Sequence, residues 1–393
     1  MNTRSARPPT TGSGAPGAVE SMAVQSGAVT TDEVITSTGV VVTGHGQRQA
    51  WADKVLPAVE EVRPGVFSIP VPMPGNPLRY VLVYALVTAT GGLALIDTGW
   101  NTDDSWDTLV AGIHATGHDL SDITDVFITH LHPDHFGLVP RVLEHADPRL
   151  GMHRNDARFL YHRDEAQLAR ELADAQVDLR ELGAPTDVID AGIREIVRLP
   201  QGRTMDVELV GDAPLDIPGW NLRAIWTPGH TAGHLCFADD DAGIIFTGDH
   251  LLPRISPNVS TNSFQNPSPL ADYLTSLANT EHLGDLEALP SHEYRFRGLA
   301  GRVTHLLSHH EERLTEITEA ITEVPGSTAW EVTRSVTWSR PFEQLSLPLS
   351  RMALRETNAH LLVLEERGIL ARSGTEPVHW FVTTPTDRED TGT

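Results

Sequence analysis

The sequence predicts an α/β protein with two strand-rich halves, a helical insertion between them and a small helical domain near its C-terminal end. Two series of short apolar, β-branched segments, within residues 66–129 and 222–290, indicate buried strands. Residues 154–197 separate the two series and are rich in Ala, Leu, Glu and Arg, as helices are. From residue 303 onward, helical segments are followed by two strand-like segments. This order of elements places the chain in the α/β class.

The first half is predicted to hold four strands and one helix. The predicted strands are 66–70, 80–87, 93–96 and 125–129, and the predicted helix is 104–116. The third strand ends at Asp97 and the fourth leads into His130. Polar residues therefore follow the strands where these leave the sheet.

The second half repeats this arrangement with predicted strands at 222–226, 243–246 and 286–290. Soon after these strands come His230, Asp249 and His292, respectively. Loops held by a rigid scaffold are where such folds place their chemistry. The strand ends of both halves are thus candidates for one functional site.

The length of 393 residues allows two or three domains. We expect a disordered or loosely attached segment at 1–45, a catalytic domain at 46–302 that contains the insertion, a C-terminal domain at 303–385 and a tail at 386–393. Within the C-terminal domain, helices are predicted at 303–323, 328–336 and 349–367, and a hairpin at 368–382. Helices followed by a hairpin suggest a winged-helix-like domain, which we expect to cap the pocket or to mediate homodimerisation.

Composition narrows the range of partners and locations. The formal net charge is −24, which disfavours nucleic acid and anionic membrane surfaces as partners. The single cysteine, Cys236, cannot form an intrachain disulfide, and the polar N-terminal residues lack the apolar core of a secretion signal. We therefore expect a cytoplasmic protein.

Four potential metal ligands fall within six residues, at His130, His132, Asp134 and His135. In an extended segment, residues 130 and 132 project to the same side. Beyond the bend at Pro133, the next two ligands can address a second centre. Imidazole nitrogen and carboxylate oxygen suit zinc, iron or manganese. The alternative is a histidine cluster that binds no metal. The position of these residues directly after an apolar strand disfavours this alternative.

The motifs that carry these residues resemble those of the metallo-β-lactamase superfamily, over residues 62–300. THxHxDH is matched from Thr129 to His135, TPGHTxGH from Thr227 to His234, FTGD from Phe246 to Asp249 and IDTG from Ile96 to Gly99. The final PGHG-like loop is replaced by Pro290 to Glu293, which keeps its ligand. The chain is most similar to the branch that holds glyoxalase II, the β-lactamase-like endoribonucleases and related thioesterases and lactonases.

The resemblance implies an αββα four-layer sandwich with the site at one edge of both sheets. It also implies two divalent metal ions, with zinc preferred and iron or manganese as alternatives. The first ion would be held by His130, His132 and His230, the second by Asp134, His135 and His292, and Asp249 would bridge them. The zinc β-lactamases have Cys at the bridging position, so the Asp of this chain argues against β-lactam hydrolysis.

The chemistry expected from such a pair of ions is hydrolysis by a metal-activated hydroxide. Asp134 would serve as proton acceptor and donor beside the nucleophile, and is the expected catalytic residue. Asp97 and His234 are expected to orient the ligands rather than to bind metal. Arg254, Tyr294, Arg295 and Arg297 are candidates for binding an anionic group of the substrate.

The leading functional hypothesis is hydrolysis of a small acyl thioester or ester, lactones included. An endoribonuclease of the β-lactamase-like type is an alternative. Residues 325–393 carry 7 Lys and Arg against 9 Asp and Glu, so this region is not basic, which disfavours RNA as the substrate. A mononuclear iron oxygenase of persulfides shares the HxHxDH motif. A non-catalytic binding protein with a vestigial site is the alternative from a different class, and the complete ligand set disfavours it.

Overall fold

The computed structural model describes residues 25–26, 36–161, 163–190, 198–261 and 267–383. The predicted tail at 386–393 lies outside these residues, as do 1–24 and 27–35 of the predicted loose N-terminal segment and 191–197 of the predicted insertion.

The strands of the described chain form two large mixed sheets and a hairpin. In chain order they are β1 (Gln25–Ser26), β2 (Val41–Val42), β3 (Glu60–Arg63), β4 (Val66–Pro72), β5 (Tyr80–Val87), β6 (Leu93–Ile96), β7 (Ile123–Phe127), β8 (Arg149–His153), β9 (Val207–Leu209), β10 (Ala213–Pro214), β11 (Arg223–Trp226), β12 (Leu235–Asp239), β13 (Ile244–Gly248), β14 (Glu287–Pro290), β15 (Phe296–Arg297), β16 (Leu370–Ser373) and β17 (His379–Val382). Among the described residues, the first sheet has the order β1-β3-β4-β5-β6-β7-β8-β9 and the second β10-β11-β12-β13-β14-β15-β2, while β16 and β17 form the hairpin.

Helices cover the outer faces of both sheets and continue into the C-terminal region. They are α1 (His45–Asp53), α2 (Asp103–Ala115), α3 (Pro133–Phe136), α4 (Val139–Val142), α5 (Arg154–Leu160), α6 (Glu165–Glu181), α7 (Thr186–Asp190), α8 (Pro269–Thr280), α9 (Leu299–Glu323), α10 (Ala329–Ser335) and α11 (Leu347–Glu366). None of the helices in the described segments combines the length and apolarity needed to cross a bilayer.

Strand β5 shows why the sequence produces a layered sandwich. Its alternate residues enter two different apolar clusters, because successive side chains of a strand point to opposite faces. Val81 and Val83 pack outward in a cluster that includes residues of α2, whereas Tyr84 packs inward between the sheets. The inward ring lies 5.1 Å from that of Phe246 in the opposite sheet. A strand buried on both faces therefore becomes a middle layer.

The outer face of the second sheet is covered by α8, α9 and α11, which share one apolar cluster with β12, β13 and β14. Together with α2 on the first sheet, this confirms the predicted αββα sandwich with a helical C-terminal region. Helix α9 starts at Leu299, so the predicted domain boundary at residue 302 falls inside it. Its buried residues pack on the sheet, so α9 belongs to the sandwich as well as to the C-terminal region.

The predicted loose segment extends too far, because its last residues are packed. Val40 and Val42 are buried, and β2 pairs with β15 at the edge of the second sheet. Short length and the absence of a strong periodic pattern hid this edge strand. Helix α8 was also missed, although Leu270, Tyr273 and Leu277 have helical spacing.

Candidate metal centre

The His-rich turn follows β7 and passes directly into α3. His130 lies at the end of the extended segment, and His132 is the residue that precedes the helix. Pro133 occupies the first helical position, for which its fixed backbone angle is suited. The change from extended to helical backbone turns Asp134 and His135 away from the direction of the first two ligands.

Three imidazoles converge in the first half of the site. His132 Nδ1 lies 3.0 Å from His130 Nε2 and 2.9 Å from His230 Nε2. The Nε2 atoms of His130 and His230 lie 3.2 Å apart, so the three nitrogens form a compact triangle. Tetrahedral coordination at zinc–nitrogen bonds of about 2.0–2.1 Å would place the nitrogens about 3.4 Å apart. The triangle therefore fits a single ion closely.

The second half brings together Asp134, His135 and His292. Asp134 Oδ2 lies 3.6 Å from His135 Nε2 and 3.4 Å from His292 Nε2. All three side chains are buried or nearly so. Residues that are far apart in the sequence thus present one carboxylate and two imidazoles to a common point.

Asp249 lies between the two halves, and its two oxygens face different partners. Oδ1 is 3.3 Å from His292 Nε2 and 3.7 Å from His135 Nε2. Oδ2 is 3.5 Å from His230 Nε2. A carboxylate with one oxygen on each side is the geometry of a bridging ligand.

Unpartnered atoms at the centre provide a test of whether a metal fits. Nε2 of His135, Nε2 of His292 and Oδ1 of Asp249 are buried and make no hydrogen bond of acceptable geometry. Buried polar atoms without partners are costly and uncommon. A divalent cation would partner all three atoms, and the His and Asp donors suit zinc, iron or manganese.

The two halves of the site differ in their electrostatics. Burial, together with the neighbouring His230, lowers the pKa of His132 to about 3, so its ring is a neutral ligand. Burial alone would also lower the pKa of His135, but three surrounding carboxylates raise it to about 9. Those carboxylates belong to Asp134, Asp97 and Asp249. Because a metal ligand must be a neutral imidazole, a cation in the second half would displace protons.

In four of the five ligand histidines, the ring nitrogen that faces away from the centre is held by an oxygen atom. His135 Nδ1 lies 2.8 Å from Asp97 Oδ2, which places the predicted orienting carboxylate against this ring. His230 Nδ1 is 2.7 Å from the carbonyl oxygen of Asn258, and His292 Nδ1 is 3.0 Å from that of Tyr80. With the far nitrogens occupied, the near nitrogens are left to face the centre.

His234 lies beside the centre and contacts the bridging residue through the backbone. Its Nε2 accepts a hydrogen bond from the Asp249 N–H at 3.1 Å, and its Nδ1 is 2.8 Å from Thr227 Oγ1. Both ring nitrogens are therefore occupied. The close approach also accounts for Gly248, since a Cβ there would lie 2.7 Å from His234 Nε2.

The four predicted substrate-binding residues do not form one group. Arg254 is half-exposed and donates to buried Glu293 at 2.8 Å, next to His292. The Tyr294 side chain is buried. These two flank the centre without contacting its predicted ligands through any hydrogen bond in the described residues.

Two of these predictions are wrong. Arg295 is buried and forms ion pairs with Glu287 of β14 and Glu60 of β3, so it ties the two sheets together. Arg297 donates to the carbonyl of Asp285, which precedes β14, whereas His292 follows that strand. Arg297 therefore lies at the far end of the strand from the site.

Sequence reasoning missed Asp156, a fully buried carboxylate at the start of α5. It accepts hydrogen bonds from Leu131 N at 3.0 Å, Thr231 Oγ1 at 2.7 Å and Gly233 N at 2.7 Å. It thereby joins the turn that carries His130 to the loop that carries His230. No motif in the sequence marks it.

Asp97 provides a first prediction about this centre. Asp97→Asn keeps the size of the side chain but removes the charge that faces His135 Nδ1. We expect the affinity of the second metal to fall about 10–100-fold, as for other partners of metal-bound histidines. Competition with a chromophoric chelator measures this affinity, and Asp125→Asn, which affects a buried carboxylate paired with Arg149, is the control. Unchanged affinity in Asp97→Asn would show that the contact does not serve the metal.

Comparisons with known proteins agree with this geometry. The family model described as the metallo-beta-lactamase superfamily matches residues 77–294, which include every predicted ligand. The solved structure of a metallo-beta-lactamase family protein from Thermus thermophilus is 31% identical, with a TM-score of 0.69 over 82% of this chain and 100% of that one. The probable metallo-hydrolase YqjP of Bacillus subtilis is 27% identical over 76% of this chain and 92% of its own. An atrochrysone carboxyl ACP thioesterase of Aspergillus fumigatus is 26% identical over 68% and 69%, respectively.

Proposed function

The chain belongs to the metallo-β-lactamase superfamily, and from this we propose that it hydrolyses a small acyl thioester or ester, lactones included, at a centre of two divalent cations. The observation that carries the proposal is the convergence of six ligand side chains in two groups of three, with the two oxygens of Asp249 directed at both groups. A site for a single cation would leave the second group of three side chains without a ligand role.

Two divalent cations held by these side chains would lower the pKa of a bound water and would polarise an acyl carbonyl. The chain itself supplies the proton transfers. Burial would raise the pKa of Asp134, but His135 and His292 outweigh it and hold the pKa at about 2, so its carboxylate is ionised at neutral pH. A carboxylate in this position can accept the proton of an attacking water and return it to the leaving group.

Two further features bear on the nucleophile and on the substrate class. Cys236 is buried, and burial raises the pKa of its thiol to about 12, so it is no nucleophile. Its sulfur contacts Thr227 Oγ1 and the Thr247 carbonyl rather than the centre. Asp249 occupies the bridging position, which favours acyl esters and thioesters over β-lactams as substrates.

One relative supports the thioester within this class. The Aspergillus fumigatus protein acts, by its name, on an acyl group carried by an acyl carrier protein. We extend this to the present chain as a proposal on substrate class, with a thioester as the preferred bond. Zinc is the preferred metal, with iron and manganese as alternatives, because the donors are imidazoles and carboxylates.

The test combines metal analysis with a substrate panel. We expect two equivalents of divalent metal per purified chain, and hydrolysis of thioesters, lactones or both. Removal of metal by a chelator should abolish hydrolysis, and zinc, iron or manganese added back should restore it. Single-stranded RNA is the control substrate. Cleavage of RNA with no hydrolysis of any ester, thioester or lactone would overturn the proposal.

A further inference from the structure

Helix α11 carries two arginines, Arg351 and Arg355, one turn apart and without an acidic partner in the part of the chain that the structure describes. No ion pair involving either is formed within the described segments, and the Nε atom of each is buried without a hydrogen bond. The contact of Arg355 Nη1 with the Thr261 carbonyl is long, at 3.5 Å. Asp178 influences Arg355 electrostatically but forms no ion pair with it.

Leaving these two guanidinium groups unpaired is unfavourable. Both are partly buried, and burial, together with the like charge of Arg351, lowers the pKa of Arg355. The chain has 53 Asp and Glu against 29 Lys and Arg, so acidic partners are abundant elsewhere. Partly buried Arg163 and Arg198, for example, share Glu171. Unpaired cations in so acidic a protein indicate that an anion from outside the chain completes the site.

The arginine pair is one loop away from the candidate metal centre. The backbone carbonyl oxygen of Arg355 accepts a hydrogen bond from the Thr261 N–H at 3.2 Å. At the other end of this loop, Asn258 donates to Glu356 at 2.7 Å, while its carbonyl holds His230. Helix α11 therefore positions both the arginines and the loop that orients a predicted metal ligand.

We propose that Arg351 and Arg355 bind the phosphate of a phosphopantetheine-type thiol carrier that delivers the acyl group to the metal centre. Guanidinium groups match the oxygens of phosphate through forked hydrogen bonds. Free phosphopantetheine, the form used in the test below, is a phosphate monoester with up to two negative charges, which two guanidinium groups complement better than the single charge of a carboxylate. The proposal rests on the function proposed above, because it assigns a carrier to the same acyl substrate.

A matched pair of substrates isolates the phosphate. The same acyl group is presented as a thioester of phosphopantetheine and as a thioester of pantetheine, which lacks the phosphate. For Arg355→Gln and for Arg351→Gln, we expect KM to rise about tenfold or more with the phosphorylated substrate, as expected for loss of a charged hydrogen bond. KM with pantetheine and kcat with both substrates should stay unchanged. Arg355→Lys, which keeps the charge but not the fork, should restore part of the affinity.

The control is Arg334→Gln, because Arg334 lies exposed on α10 of the same C-terminal region. It should change neither substrate's KM. Equal losses with both substrates in the Arg355→Gln protein would show damage to the 258–261 loop, and equal KM values in wild type and variants would show no contact. Either outcome overturns the proposal.

Direct binding separates this proposal from the proposed function. If the wild-type protein hydrolyses neither thioester, the proposed preference for a thioester fails, and calorimetry with phosphopantetheine then tests the arginine pair alone. Binding that the double variant Arg351→Gln/Arg355→Gln loses would support the site. Binding that survives in the double variant would refute it. Inorganic phosphate bound as tightly as phosphopantetheine would identify a site for free phosphate and refute the carrier.

Discussion

Replacing Asp134 with alanine is expected to lower kcat by at least about a thousandfold while the protein stays folded. Proton transfer by a positioned group contributes about 10²–10⁴-fold to catalysis, and this substitution also removes a metal ligand. The carboxylate lies 3.4 Å from His292 Nε2 and 3.6 Å from His135 Nε2, where no other described side chain can replace it. Loss of the proton-transfer group and loss of a metal ligand both slow the hydrolytic step, so the effect should appear in kcat.

Measurement of this variant requires turnover, metal content and folding together. We expect bound metal to fall from two equivalents toward one, because the first group of three histidines is untouched. Circular dichroism and thermal unfolding should show a folded protein. His234→Ala is the matched control, since that ring contacts the Asp249 N–H and Thr227 rather than the proposed ions. It should reduce activity much less. Full activity in Asp134→Ala would contradict the mechanism.

The sequence predicted which side chains converge, because these residues sit in short motifs at strand ends. His130, His132, Asp134 and His135 are separated by fixed steps of backbone, so one local conformation directs all of them. The strands that deliver them are short apolar segments bounded by turns, which single-sequence patterns detect. Asp97 was also found, because it follows a predicted strand directly.

Residues held by long-range contacts could not be predicted in this way. Arg295 lies three residues after His292, which suggested a role at the site, yet it pairs with Glu60, 235 residues away in the sequence. Asn258 acts through its backbone carbonyl, which any residue type could supply. Such roles depend on how the two sheets pack, and neither spacing nor composition records that.

The arginines of the C-terminal region could not be predicted from sequence for the same reason. Arg351 and Arg355 have ordinary helical spacing, and no sequence motif marks them. Their distinction is that neither forms an ion pair with any residue the structure describes, which only the folded arrangement of α11 and its neighbours reveals. The C-terminal helices were predicted from sequence, but the contact of α11 with the loop that holds His230 was not.

Asp156 is expected to stabilise the protein strongly, because its carboxylate joins the two loops that carry His130 and His230. In Asp156→Ala, three donors from Leu131, Thr231 and Gly233 would lose their acceptor. Each buried donor left unsatisfied costs about 1–3 kcal/mol, so we expect the free energy of unfolding to fall by about 3–9 kcal/mol for the three donors. Denaturant unfolding of the metal-free protein measures this, because bound metal would otherwise mask the loss.

Asp156→Asn refines the prediction because its amide keeps only one acceptor oxygen. With that oxygen toward Leu131 N and Thr231 Oγ1, the amide nitrogen would face the Gly233 N–H, donor against donor. We therefore expect a loss between those of wild type and alanine. Gly233→Ala should destabilise from the opposite side, since a Cβ there would lie 2.7 Å from the Asp156 carboxylate. A loss below about 1 kcal/mol in Asp156→Ala would mean that water replaces the carboxylate. In that case the two loops would be aligned by the sheets alone.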